Sequence, residues 1–146
     1  MNQIKFRPLA YPDFAEWLPL WDANNLGQRD DAVTQETWRR ILAEDEPVYG
    51  ICAEQNGKIL GIAHYILHPT TGHLRPVCYL QDVFVLPEQR GRGIGRRLVE
   101  DVIRRGTHEG WARMYWLTPE DNKSAKALYK NLGIKLDFAF YVLPIS

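Results

Sequence analysis

The segment LQDVFVLPEQRGRGIGRRLVEDVI, residues 80–103, decides how this chain is read. Its first part belongs to an almost continuous apolar run from Val77 to Val85, broken by Gln81 and Asp82, the pattern of a central strand buried on both faces. After Pro87 comes the turn Arg90-Gly91-Arg92-Gly93-Ile94-Gly95-Arg96-Arg97. Ile94, Leu98, Val99, Val102 and Ile103 then recur at helical spacing until Gly110. Such a strand, turn and helix set unpaired N–H groups and a positive dipole end beside backbone that lacks Cβ atoms, where a pyrophosphate can rest. A plain tight turn would use the same residue types. Spacing excludes two other cradles: a P-loop needs Lys and then a hydroxyl residue after its last glycine, where Arg96 and Arg97 stand, and GxGxxG counted from Gly91 ends on Arg96.

Working outward, residues 2–7 alternate through Ile4 and Phe6 as a first strand stopped by Pro8. From Asp13, a possible cap, Phe14, Trp17, Leu18 and Trp21 have helical spacing, with Pro19 shortening or bending the helix and Asn24 to Gly27 ending it. Thr34, Thr37, Trp38, Ile41 and Leu42 start a second helix that runs out at Glu44-Asp45-Glu46-Pro47. Val48–Glu54 and Lys58–His68 read as strands joined by Asn56-Gly57, a strong hairpin signal, with a loop from Pro69 to Pro76 beyond. Downstream, Arg113–Thr118 reads as a strand, Asn122–Leu132 as a helix closed by Gly133, and Leu136–Leu143 as a last strand. The expected order is β-α-α-β-β-β-α-β-α-β, an α/β (α+β) fold with a mixed, mostly antiparallel sheet flanked by helices, forming one domain over residues 1–146.

At 146 residues, 45% hydrophobic and 25% charged, the composition suits a folded domain and excludes collagen, coiled coil and disorder. Eighteen basic and eighteen acidic side chains leave no net charge, which argues against bulk electrostatic binding of nucleic acid. Residues 1–60 carry 10 acids and 6 bases, residues 61–146 carry 8 acids and 12 bases, so the two halves can face different partners. Cys52 and Cys78 sit in apolar runs without a CxxC spacing and read as buried reduced thiols, consistent with a cytoplasmic protein. The opening residues carry neither a signal-peptide nor a membrane-anchor pattern. His64 and His68, four apart on a strand, would lie ~13 Å apart, so no metal site is expected.

These residues resemble a family. The run just quoted is similar to the acetyl-CoA-binding motif of the Gcn5-related N-acetyltransferases, Arg/Gln-x-x-Gly-x-Gly/Ala after a strand ending Val-x-Pro, with Arg90, Gly93 and Gly95 in place. The segment PEDNKSAKALYKNLGI resembles a second family motif, with Asn122, Ala125, Leu128, Tyr129 and Gly133 in register. The stretch CYLQDVFV looks most like the spermidine/spermine branch and histone-type relatives.

The resemblance implies acetyl-CoA as acyl donor and direct transfer to a primary amine, foremost a small amine or polyamine and secondly a protein lysine or N-terminus. It implies that the backbone of Val83, Phe84 and Val85 pairs with the pantetheine arm as an added strand. The N–H groups of Gly91, Arg92, Gly93, Ile94, Gly95 and Arg96 would cradle the pyrophosphate, helped by Arg90 and its neighbours, and Asn122 and Ala125 would line the far side. Amine acetylation needs a neutral nitrogen, a stabilised oxyanion and a protonated leaving thiol. A backbone N–H near Val83 would serve the oxyanion and the Tyr129 hydroxyl the thiol, although Tyr129 also reads as a core aromatic. Where relatives commonly carry Glu, this chain has Gln81, which can bond an amine but not take its proton. Asp82, on the opposite face of a regular strand, water, or an acid from the first half remain for that task. Trp21, Asp22, Asp30 and Asp31 are candidates to attract a cationic amine, or else a core indole and solvated acids. A CoA-binding sensor without turnover is the alternative that Gln81 motivates. The family often pairs through late strands, and Phe138, Phe140 and Tyr141 point to a homodimer.

Overall fold

The computed structural model describes residues 3–145. Five strands form one sheet in the order β1-β2-β3-β4-β5: β1 (Lys5–Pro8), β2 (Val48–Gln55), β3 (Lys58–Thr70), β4 (His73–Val85) and β5 (Arg113–Tyr115). Neighbours pair antiparallel except β4 and β5, which are parallel and joined by a helical crossover. Four helices complete the fold: α1 (Phe14–Asn24), α2 (Asp31–Leu42), α3 (Ile94–Glu109) and α4 (Lys123–Tyr129). Residue 2, the start of the expected first strand, lies outside the described residues.

Helices cover both sheet faces. Leu98, Val99 and Val102 of α3 pack on Ile51, Ala53, Ala63, Cys78 and Leu80. On the opposite face Trp17, Leu20 and Trp21 of α1 and Trp38 and Ile41 of α2 close over Cys52, Ile59 and Ile62. The Trp17 ring lies 4.7 Å from that of Trp38 and 5.2 Å from that of Trp21. Large amphipathic rings of this kind bury apolar area and keep a polar handle that needs a partner. Trp21 finds it on α2, donating from Nε1 to the buried Thr34 hydroxyl at 2.8 Å.

Local chemistry explains most boundaries. Asn56 and Gly57 both have positive φ, the conformation a two-residue hairpin matching strand twist requires. Asp30 accepts from the N–H groups of Ala32 and Val33, which starts α2 three residues before Thr34. Asp13 does not cap α1 with its side chain; its carboxylate is taken up by the Ala10 N–H and Arg7.

Two expectations are corrected. The loop foreseen from Pro69 to Pro76 is strand, because β3 and β4 continue to a two-residue turn at Thr71-Gly72 and pair Thr70 with His73. The last strand foreseen at Leu136–Leu143 is not formed: residues 134–145 have no regular secondary structure. A strand exists through its neighbour, and β5 contributes three paired residues, all spent on β4. Among the described residues no helix is long and apolar enough to cross a membrane.

Candidate active site

The parallel pairing of β4 with β5 runs from Val77–Arg113 to Tyr79–Tyr115 and stops. Beyond it β4 continues to Val85 with β3 on one side, and among the described residues no strand pairs along its other edge. The segment from Leu80 to Val85 therefore offers main-chain groups to an extended ligand. It leads through the short 3-10 turn Pro87–Gln89 into the glycine turn, where Gly91 and Gly93 have φ of +85° and +74°. A Cβ at either position would meet nothing within 4 Å, so the backbone there borders open space. Gly93 is the N-cap of α3, no side chain caps the helix, and the first N–H to bond back is that of Arg97. The first turn of α3 thus presents free donors and a positive dipole end to an anion.

The arginines divide. Arg90 folds back, donating from Nε to the Val85 carbonyl at 3.0 Å with its guanidinium over the Phe84 ring, so it braces the turn. Arg97 stacks on Phe6 at 4.5 Å. Arg92 reaches the side chains of Gln89 and Gln55, and Arg96 lies 3.6 Å from Glu100. Gly95 faces inward, where an added Cβ would meet Val85 at 3.6 Å and Leu128 of α4 at 3.9 Å.

A bulge reorders the middle of β4. His64 pairs with Asp82 and Tyr65 with Leu80, so Gln81 is the extra residue and is exposed. Asp82 turns toward the α1 face, where Oδ1 accepts from Asn24 Nδ2 and Oδ2 bonds His64 Nδ1, both at 3.0 Å. Its side chain is 21% exposed. Burial pushes its pKa up, but the hydrogen bonds from His64 and Asn24 outweigh that and hold it below the usual carboxylate value.

Tyr129 ends α4 half-buried, its ring 4.9 Å from Trp116. Burial raises its hydroxyl pKa, so the phenol stays protonated at neutral pH. Asn122 spends its side-chain oxygen on the Ala125 N–H, capping α4 and holding both residues at that helix start. Gly133 lies beyond the helix, which stops at Tyr129.

The acceptor-side candidates fare differently. Trp21 is a core residue with its indole N–H engaged by Thr34, and Asp22 is clamped by both arms of Arg29 at 3.0 and 2.6 Å. Asp30 is spent on capping α2, and Asp31 lies 3.7 Å from Arg29. His64 and Asn24, which bond Asp82, and Trp17, which bonds His64, form a cluster that sequence reasoning passed over. The signal was His64 itself, a polar side chain within GIAHYIL that had to find partners inside. His68 is elsewhere engaged, with Tyr115 Oη and the Pro69 carbonyl. Among the described residues no group of three or more His, Cys, Asp and Glu side chains gathers as a metal would need.

An open strand edge, a glycine-lined helix start and a held carboxylate define a protein that seats an extended phosphate-bearing ligand against a polar acceptor. Comparison with known proteins agrees. The family model "Acetyltransferase (GNAT) family" matches residues 11–134. The chain is 29% identical over 145 residues to the D-amino-acid N-acetyltransferase HPA3 of Saccharomyces cerevisiae, covering 96% of this chain and 90% of that one. It is 33% identical over 96 residues to the thialysine N-epsilon-acetyltransferase of Mus musculus, 64% of this chain and 53% of that one. Among solved structures, AAC(6')-Iy in complex with the bisubstrate analog CoA-S-monomethyl-acetylneamine superposes with a TM-score of 0.83 at 26% identity, covering 98% and 99% of the two chains. The chain belongs to the acetyltransferase (GNAT) family. It is an N-acetyltransferase that draws its acetyl group from acetyl-CoA. The residues present fit that donor: positive-φ glycines bordering open space, uncapped donors on α3 and an open β4 edge.

Proposed function

We propose that this chain, as a single acetyltransferase domain over residues 1–146, acetylates a small primary amine directly, with no acyl-enzyme. The observation that carries the reading is the Asp82 carboxylate, held in place beside the open edge of β4. When bound, acetyl-CoA supplies an activated acetyl thioester. The N–H groups from Gly91 to Arg96 hold its diphosphate, with Arg92 and Arg96 adding charge. The backbone of Val83, Phe84 and Val85 aligns the pantetheine arm, and Asn122 and Ala125 border it.

Asp82 attracts the acceptor ammonium and Gln81, projecting from the bulge, bonds it. Asp82 is an anchor and not the final base. A carboxylate below its ordinary value near 3.9 stands at least about six pH units under an alkyl ammonium near 10.4, and about 1.36 kcal/mol per unit puts direct transfer near 8–9 kcal/mol uphill. The attacking species is therefore the small neutral fraction of the amine in equilibrium with bulk solvent, which at pH 7 costs about 3.4 pH units, or about 4.6 kcal/mol. With the donor bound, the Tyr129 hydroxyl would give its proton to the sulfur that leaves as the C–N bond forms, and the proton shed by the new amide nitrogen would return through solvent to restore the phenol. Cys52 and Cys78 are poor nucleophiles, since burial pushes both thiols up to about 12. Buried and reduced, they are also consistent with a cytoplasmic setting.

Relatives named for D-amino acids and thialysine favour small amines over polyamines and protein lysines as the first test. Thiol release is measured with D-amino acids, thialysine, polyamines and a lysine peptide. Turnover on a free amine supports the proposal, turnover confined to the peptide replaces its substrate class, and CoA binding without turnover makes the protein a sensor.

We further infer a homodimer. Ile134, Leu136, Phe138, Phe140 and Val142 alternate along a segment without regular secondary structure and are 59–89% exposed. A cavity of about 290 Å³ lined by Ile103, Trp111, Met114, Trp116 and Leu132 lies beside the open edge of β5. A second copy's segment suits that edge and cavity. Light scattering tests it: a dimer that Phe138→Glu with Phe140→Glu converts to monomer is expected, and a wild-type monomer overturns it.

A further inference from the structure

We propose that His64 is a positioning residue for acetyl transfer: clamped by the Trp17 indole in the tautomer that carries its proton on Nδ1, it holds the Asp82 carboxylate toward the acceptor amine. The inference rests on the reading of Asp82 as the ammonium anchor.

The tautomer follows from the hydrogen bonds. Trp17 Nε1 lies 3.0 Å from His64 Nε2, and an indole N–H can only donate, so Nε2 is bare and accepts. The one proton of the neutral ring is then on Nδ1, which faces Asp82 Oδ2 at 3.0 Å and donates to it. His64 is 4% exposed and Trp17 fully buried, so neither bond has water as a ready substitute. The chain Trp17, His64, Asp82, Asn24 is directional from both ends: each end donates toward the carboxylate, which receives two bonds from within and keeps its remaining lone pairs for an outside cation.

His64 is thereby excluded as a proton shuttle. Nδ1 already carries a proton, and loading Nε2 would expel the Trp17 N–H from a buried bond. Its service is to aim and charge Asp82. The titratable group in contact with Asp82 is His64 from β3; on β4 the neighbouring titratable side chain is Tyr79, stacked on Tyr115 of β5 at 5.0 Å and influenced by the Asp82 charge. The Tyr79 hydroxyl is itself raised, first by burial and then by the Asp82 charge. From α1 the contributor is the uncharged Asn24.

The test has two arms on the full chain. Long-range proton–nitrogen NMR of the wild-type imidazoles should show His64 with Nδ1 protonated and Nε2 bare, a pattern that Trp17→Phe disturbs; a proton on Nε2 in the wild type overturns the proposal. In kinetics, His64→Leu leaves burial acting on Asp82 with one donor fewer, so an acid limb enters the kcat/KM profile, falling about tenfold per pH unit below its midpoint. His64→Asn, whose amide can stand in for Nδ1, should restore a profile within about threefold of wild type, as expected of a donor whose one task is a hydrogen bond. If His64→Leu lowers kcat/KM equally at every pH, His64 is merely structural and the proposal is wrong. Asp82→Asn separates the underlying reading: unchanged kcat/KM in that variant removes the anchor itself, whatever His64 does. Should His64→Leu fail to fold, the NMR arm and His64→Asn still decide.

Discussion

Asn24 Nδ2 lies 3.0 Å from Asp82 Oδ1, so the last residue of α1 is bonded to a strand residue 58 positions further along the chain. This bond ties α1 to the β4 bulge. Asn24→Asp would replace it with a second carboxylate at the same spot, and two like charges this close cannot both ionise. The pair's pKa rises, so the variant loses stability as pH rises through the raised value, opposite to wild-type Asp82, whose contribution is lost as pH falls. kcat/KM measured from pH 5 to 9 should show an acid limb displaced upward, and an unmoved limb would dissociate Asp82 from the reaction.

Tyr129→Phe keeps the ring on Trp116 and removes the proton donor. We expect kcat to fall about 10²-fold or more, the usual worth of a general acid, with CoA affinity by calorimetry unchanged. Because burial raises the Tyr129 pKa, no wild-type alkaline decline from this residue is expected below pH 10.

Gly93→Ala and Gly95→Ala discriminate conformation from space. Nothing crowds a Cβ at position 93, yet φ of +74° costs an L-residue about 1–2 kcal/mol, so both the melting temperature and CoA affinity should drop. At Gly95 a Cβ would make ordinary contact with Val85 and Leu128, and the melting temperature should hold within about 2 °C, as for substitutions that meet no clash or strain. Equal destabilisation by both would refute this account of the turn.

Arg7 bridges Asp13 at 2.8 Å and Glu54 at 2.7 Å, joining β1, the turn before α1 and β2. Its hydrogen bond is the largest influence on both carboxyls and lowers them, so their contribution is complete above pH ~4 and is lost as pH falls through the depressed values. Arg7→Met should weaken the fold at pH 7 and flatten its acid dependence, read by urea denaturation at several pH values; a parallel acid curve would assign the cluster no role.

What could be read without coordinates was local. The Asn56-Gly57 hairpin, the α3 stripe and the glycine turn before it follow from φ limits and periodicity, which act within a few residues. Two motifs pointed to the glycine turn and the β4 edge as the donor side, since an open strand edge and an uncapped helix start are built from residues close in the chain. The acceptor side was hidden. Whether Asp82 faced α1 depended on a bulge at Gln81, set by cross-strand register rather than by spacing.

Sequence alone determined the order of strands and helices as far as α4 and the glycine turn before α3, because each is encoded by neighbours in the chain. Tertiary structure alone decided that Trp17, His64, Asp82 and Asn24 meet, across separations of 47, 18 and 58 positions, and that Trp21 and Asp22 are already engaged. It also decided that an aromatic segment patterned as a strand stays unpaired, since pairing belongs to two strands and no residue can specify the absent one.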